Sequence, residues 1–212
     1  MARATTTNQQ ISGTLTAHNG LSQFSMAGWL FRAANVTVQA WGTDETVAHN
    51  TSVQLWSDNK VYFNVSNGSA AFGAFSPIVT GWNHYCFIFD GSQSGNSNRL
   101  KGYVNGLNVV LSYGGTIPST LSSNVSNQTL RIGRAQSANQ WSTGSFAELA
   151  MWASVLSSDE VASLGKGFSP IMVAPQSLIL NIPLINDIQD VRAGISLTNT
   201  GATVATHPRV YA

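Results

Sequence analysis

The amino-acid sequence predicts an all-β protein in which two antiparallel sheets face each other across one core. Three observations predict it. Short runs rich in aromatic and β-branched residues recur along the chain, several of them alternating apolar and polar side chains. Clusters of Gly, Asn, Asp and Ser separate the runs, and Asn105-Gly106 suits the two positive φ angles of a type I′ hairpin turn. Finally, 43% of the 212 residues are apolar, with six Trp and nine Phe, which is enough for one sizeable core and too little for two domains.

Taken in order, residues 1–10 read as a polar N-terminal arm. Ile11–Thr16 alternates weakly, and Leu21–Phe31 is a stronger strand. Val36–Trp41 alternates cleanly, with Val36, Val38 and Ala40 on one side and Thr37, Gln39 and Trp41 on the other. A polar loop from Gly42 to Thr51 holds Asp44, Glu45 and His49. Val53–Ser57 and Val61–Val65 pair across Asp58-Asn59-Lys60, and the Gly- and Ala-rich stretch 66–74 suits a bend.

The densest run is Trp82–Phe89. One face carries Trp82, His84, Cys86 and Ile88, the other Tyr85, Phe87 and Phe89, so this strand belongs inside a sheet with cover on each side. After a polar loop the chain returns as Leu100–Val104 and turns at Asn105-Gly106 into Leu107–Leu111. A polar loop over 112–127 precedes a strand at Thr129–Arg134, and a loop over 136–144 precedes one at Ser145–Trp152. One short helix is predicted near 157–165. Ser157 and Glu160 have capping-box spacing, Asp159 and Glu160 stand where the helix dipole favours acid, and Gly165-Lys166-Gly167 stops it. The remaining residues, 169–212, place Pro170, Pro175 and Pro183 among apolar residues and read as an extended segment that packs on the sandwich or on a neighbouring subunit. Within it, 178–207 is expected to add strands or an extended edge.

The ordered motifs W-N-H (Trp82–His84), D-G (Asp90-Gly91), L-K-G-Y-V-N-G (Leu100–Gly106), L-R-I-G (Leu130–Gly133) and W-S-T-G-S-F-A-E-L (Trp141–Leu149) resemble the laminin G-like, concanavalin A-type jelly roll. The resemblance spans roughly residues 8–168 and implies a lectin–glucanase sandwich, with 11–168 as its domain. The tail, with L-T-N-T-G-A-T and H-P-R-V-Y, resembles the ends of laminin G-like proteins of tailed phages.

Composition excludes several functions. Only 9% of residues are charged, the net charge is +1, and no run of either sign exists, which argues against nucleic-acid binding through phosphates. No apolar run approaches the roughly 20 residues of a membrane span, and the polar opening MARATTTNQQ is unlike a signal peptide. Asn35, Asn50, Asn64, Asn67, Asn124 and Asn127 open N-x-S/T sequons, read as a by-product of Asn, Ser and Thr richness.

No catalytic constellation stands out. The acids occur singly or as Asp44-Glu45 and Asp159-Glu160, without the E-x-D-x-x-E of glucanases that share the jelly roll, and no G-x-S-x-G elbow exists. His84 and Cys86 share a strand face, where packing of the lone thiol outweighs a thiolate pair. Trp29, Trp82, Trp141 and Trp152 are assigned to the core, and the His84 imidazole to a backbone partner. No metal spacing joins His18, His49, His84 and His207, and no cofactor is expected. Calcium stays open through the loop acids Asp44, Glu45, Asp58 and Asp90. The resemblance implies sugar binding on an exposed aromatic platform beside amides, for which Trp41, Trp56 and Tyr62 are the candidates, with core packing as their other reading.

Two readings of function follow, neither enzymatic. The tail resemblance favours a phage virion subunit, made in a host cytoplasm, that is a capsid decoration or head-fibre subunit binding the particle surface and contacts virion proteins or sister copies in a homo-oligomer. The alternative is a carbohydrate-binding module that holds host or environmental glycans.

Overall fold

The computed structural model describes residues 1–33, 38–46, 48–123, 129–135, 140–185 and 187–207, except for the side chains of Asp44 and Glu45. In chain order these form β1 (Ala2–Thr5), β2 (Gln10–Thr14), β3 (Gln23–Arg32), β4 (Val38–Thr46), β5 (His49–Trp56), β6 (Val61–Asn67), β7 (Phe72–Phe75) and β8 (Gly81–Asp90). Next come α1 (Asn96–Arg99), β9 (Leu100–Val104), β10 (Leu107–Val109), β11 (Ser112–Gly114), β12 (Thr129–Ile132), β13 (Arg134–Ala135), β14 (Gln140–Trp141) and β15 (Gly144–Trp152). The chain ends with α2 (Ser158–Gly165), a 3-10 turn at Pro170–Met172, β16 (Leu178–Ile182), β17 (Thr198–Thr200) and β18 (Thr203–Ala205).

Two antiparallel sheets carry the fold. The first runs β10-β9-β8-β3-β15-β1-β18, with β16 also paired to β15, and the second runs β11-β7-β6-β5-β4-β12-β2-β17. Strand alternation sends Phe24, Met26, Leu30, Tyr85, Phe87 and Phe89 from the first sheet into one core. Trp41, Val53, Leu55, Val61, Phe63 and Val65 meet them from the second. On the outer face of the first sheet a smaller core joins Ala27, Cys86, Ile88 and Trp152 to Val161 and Leu164 of α2 and to Val173. The central strand β8 is therefore covered on both sides, as its two apolar rows require.

The local signals act as their chemistry dictates. Asn105 and Gly106 hold φ of 51° and 79° between β9 and β10. At the start of α2 the Ser157 hydroxyl accepts from the Glu160 N–H, while the Glu160 carboxylate accepts from the Ser157 N–H at 2.7 Å.

Several expectations need correction. Residues 1–10 are not a free arm: β1 pairs with β15 and β18, and Ala2 is fully buried. Most of the expected loop 42–51 continues β4 and β5 as a paired hairpin, because polar residues tolerate a strand face that looks outward. The expected loop 112–127 opens with strand β11 and buries Ile117 and Leu121 in the core, while 124–128 lie outside the described residues. Trp152 is buried, but Trp29 and Trp82 are only half-buried. They sit on the outer face of the first sheet, beside His84 and Phe31, at ring separations of 5.4 and 5.6 Å. Trp141 is also half-buried, with the Arg134 guanidinium 4.7 Å above its ring.

The C-terminal segment packs on its own chain. Leu180, Ile182 and Leu184 enter the main core, β17 extends the second sheet beside β2, and β18 extends the first beside β1.

Candidate functional site

The outward rows of β5 and β6 build a groove. Inward Val53, Leu55, Val61, Phe63 and Val65 fix the pleat, so Asn50, Ser52, Gln54 and Trp56 of β5 look out together with Tyr62, Asn64 and Ser66 of β6. The register sets Gln54 opposite Tyr62 and Ser52 opposite Asn64. Phe72 of β7, opposite Asn64, adds a third ring, its centroid 5.1 Å from Tyr62 in an edge-on arrangement. The resulting cavity is about 390 Å³, and Ser57, Asp58 and Ala70 complete its lining. That volume lies in the roughly 300–1,000 Å³ range of small-ligand sites.

The floor is a directed chain of hydrogen bonds. The Trp56 indole N–H donates to Gln54 Oε1 at 3.0 Å, and Gln54 Nε2 donates to Ser52 Oγ at 3.0 Å. Asn64 Nδ2 also donates to Ser52 Oγ, at 3.2 Å, and the Ser52 hydroxyl donates to Asn50 Oδ1 at 2.6 Å. These amides are nearly buried, with Asn50 and Gln54 each 5% exposed, so the chain fixes their orientation. At the rim the Tyr62 hydroxyl donates to Asp58 Oδ2 at 2.5 Å. Burial, reinforced by this bond to an anion, pushes the phenol up to about 12, so Tyr62 stays neutral across the physiological range.

Of the candidate platform residues, Trp56 and Tyr62 line this one groove. Trp41 does not: it is 1% exposed, turned inward, and fills the space over Gly28, where an added Cβ would lie 3.5 Å from the indole. The alternation in β4 is as expected, and it is the side of Gln39 and Trp41 that looks inward. Gln39 also points in and donates to the Phe31 and Ser145 carbonyls, while Val38 and Ala40 pack outside with Ala135 and Trp56. Asn50, Gln54, Asn64 and Phe72 are the residues that sequence reasoning missed. The first three continue the outward rows already marked by Trp56 and Tyr62: the period of two finds Gln54 and Asn64 within the expected strands, and following it back into the supposed loop finds Asn50.

The other candidates resolve as follows. Cys86 is fully buried and its thiol is pushed up by burial, which removes it as a nucleophile. The His84 ring has no hydrogen-bond partner for Nδ1 among the described residues, contrary to the expected backbone contact. Its own backbone N–H instead donates to Asn105 Oδ1. Asp58 holds Tyr62 and, at 3.8 Å, Lys60, while Asp90 accepts from Ser92 and Gln93 in its own turn. The Asp44 and Glu45 side chains lie outside the described residues, and among the described ones no three His, Cys, Asp or Glu converge on a metal-sized site. Among the sequons, Asn50 and Asn64 are buried in the groove floor, Asn67 is exposed, and Asn35, Asn124 and Asn127 lie outside the described residues.

Several solved structures share this fold. A proposed carbohydrate-binding protein from Bacteroides ovatus ATCC 8483 is similar with a TM-score of 0.72 at 16% identity, over 97% of this chain and 59% of that one. The present chain thus spans somewhat more than half of that protein's length. The heptameric SAP-like pentraxin of Limulus polyphemus is similar with a TM-score of 0.55 at 16% identity, over 93% and 88%. The CBM40 of Ruminococcus gnavus IT-sialidase, solved with α2,6 sialyllactose, is similar with a TM-score of 0.53 at 11% identity, over 78% and 98%. No curated protein matches the sequence. Residues 4–162 match the laminin G-type family described as the Concanavalin A-like lectin/glucanases superfamily, and the chain belongs to that superfamily.

Proposed function

We propose that the protein is a carbohydrate-binding module that holds a glycan in the groove walled by Trp56, Tyr62 and Phe72. The observation that carries this reading is the pairing of three half-buried rings with a pre-oriented amide floor. A pyranose has apolar C–H faces and a rim of hydroxyls. The rings suit the former, and the Asn and Gln amides suit the latter. Superfamily membership and the likeness in fold to a proposed carbohydrate-binding protein and a CBM40 support the reading. The virion reading suggested by the tail draws no support from these likenesses. A hydrolase would need two cooperating carboxylates, and the described groove side chains offer only Asp58, which is already held by Tyr62.

A glycan array followed by titration calorimetry tests this. Trp56→Ala and Tyr62→Ala should each weaken binding about tenfold or more, the loss of about 1.4 kcal/mol expected for one stacking ring. Because Trp56 also packs on Val38 and Ala40, melting of each variant is measured alongside. Unchanged affinity in both variants, or no glycan bound by the native chain, overturns the reading.

A further inference from the structure

We propose that this groove selects uncharged glycans and rejects acidic ones. The inference rests on the carbohydrate-binding reading and sharpens it to a ligand class.

The first argument is charge. Among the described residues lining the groove, Asp58 is the one ionised side chain, and no Lys, Arg or His joins it. The neighbouring ammonium of Lys60 lies 3.8 Å from the same Asp58 carboxylate, so it offsets that charge. A sugar carboxylate entering the groove finds no cation among its described lining residues, and the nearest ammonium, on Lys60, is already engaged by Asp58. Desolvating an ionised carboxylate without a partner is strongly unfavourable.

The second argument is hydrogen-bond polarity. Ser52 Oγ receives two N–H donors, from Gln54 and Asn64, so its own proton goes to Asn50 Oδ1. That turns the Asn50 amide nitrogen toward the open side as a donor. It also leaves Asn64 Oδ1 as an acceptor with no partner among the described residues. The Trp56 N–H is already used by Gln54, so the indole contributes its face alone. A floor that presents amide N–H donors together with the Asn64 Oδ1 acceptor complements neighbouring hydroxyls, each of which donates and accepts. A carboxylate only accepts, so it satisfies Asn50 and opposes Asn64 Oδ1. The rim phenol, held neutral by burial and by Asp58, donates inside the protein and adds no cationic character. Likeness in fold alone would not predict this, since the Ruminococcus gnavus module was solved with a sialylated sugar.

The test uses the whole chain and paired oligosaccharides, each neutral chain matched with the same chain carrying a terminal sialic acid or a uronic acid. The neutral member should bind about tenfold or more tightly than its acidic partner. Its affinity should be nearly flat between low and high salt. Asp58→Asn should shrink the neutral-to-acidic ratio, the readout being the ratio rather than either affinity. Equal or tighter binding of the acidic members overturns the inference and leaves the carbohydrate-binding reading standing. No binding to any glycan overturns that reading, and this inference with it.

Discussion

Trp41 and Trp56 lie on neighbouring strands of the same sheet and do opposite things. One residue of register decides between them: Trp41 falls on the inward row over Gly28, Trp56 on the outward row beside Tyr62. Alternation in a sequence reveals which residues share a face, not which face looks inward. Val38 and Ala40 look like the core side of β4 because they are apolar, yet they pack outside under Trp56, and the amide of Gln39 takes the inward place by donating to two carbonyls. That is why Trp56 and Tyr62 can be picked from the sequence while the same reasoning puts Trp41 on the wrong face. His84 carries a prediction at the same scale. Burial holds its imidazole far below the usual value, to about 3, so the folded state keeps it neutral while the unfolded chain protonates near pH 6.5. The stabilising contribution is complete above pH 6.5 and is lost as pH falls toward 3. In that window His84 should cost up to about 1.4 kcal/mol per pH unit. Urea denaturation of the native chain and His84→Gln from pH 7 to 4 checks this. The native chain should lose stability more steeply, and parallel curves would show that the ring is not excluded from protonation.

Elements marked by specific backbone chemistry were the most legible. The Asn105-Gly106 turn needs two positive φ angles, and the helix start needs a hydroxyl three residues before a carboxylate; few other structures use those residues in that order. Elements recognised only by composition were less so. The outward-facing polar residues of β4 and the first half of β5 resemble a loop, since a strand face turned to solvent needs no apolar residue, and so the groove floor at Asn50 was hidden with them. Helix α2 covers the first sheet from outside, where its Val161 and Leu164 seal Cys86, Ile88 and Trp152. Its cap is therefore coupled to that second core. Ser157→Ala removes the hydroxyl that accepts from the Glu160 N–H and donates to its carboxylate, while the bond from the backbone N–H of residue 157 remains, and should cost about 1 kcal/mol. In a domain of this size that lowers the melting temperature by roughly 2–4 °C, read by calorimetry, without change in the groove on the other sheet. A variant that melts like the native chain would show that packing alone holds the helix.

At the scale of the whole molecule, the sandwich is closed by its two ends together. β1 and β2 step from one sheet to the other near the N-terminus, and β18 and β17 step beside them near the C-terminus, each pairing with its N-terminal counterpart. The family match ends at residue 162, yet Leu180, Ile182 and Leu184 beyond it are fully buried in the main core. The loop that follows β16 is organised by Asp190, whose carboxylate accepts N–H bonds from Asn181, Arg192, Ala193 and Ile195. Residues 169–207 therefore behave as part of the domain rather than as an appendage. Removing them would open the core along β15 and leave β1 and β2 as bare strand edges, which invite pairing between molecules. A chain cut after Gly167 should lack a cooperative melt and should aggregate during refolding. Because failure to express would be uninformative by itself, Leu180→Ala in the full chain gives the graded form of the test. It deletes buried volume beside β15 and should cost about 2–5 kcal/mol while keeping one cooperative transition. If the shortened chain melts like the full one and Leu180→Ala is silent, the C-terminal strands are a covering laid over a sandwich already complete, and the core boundary belongs at residue 162.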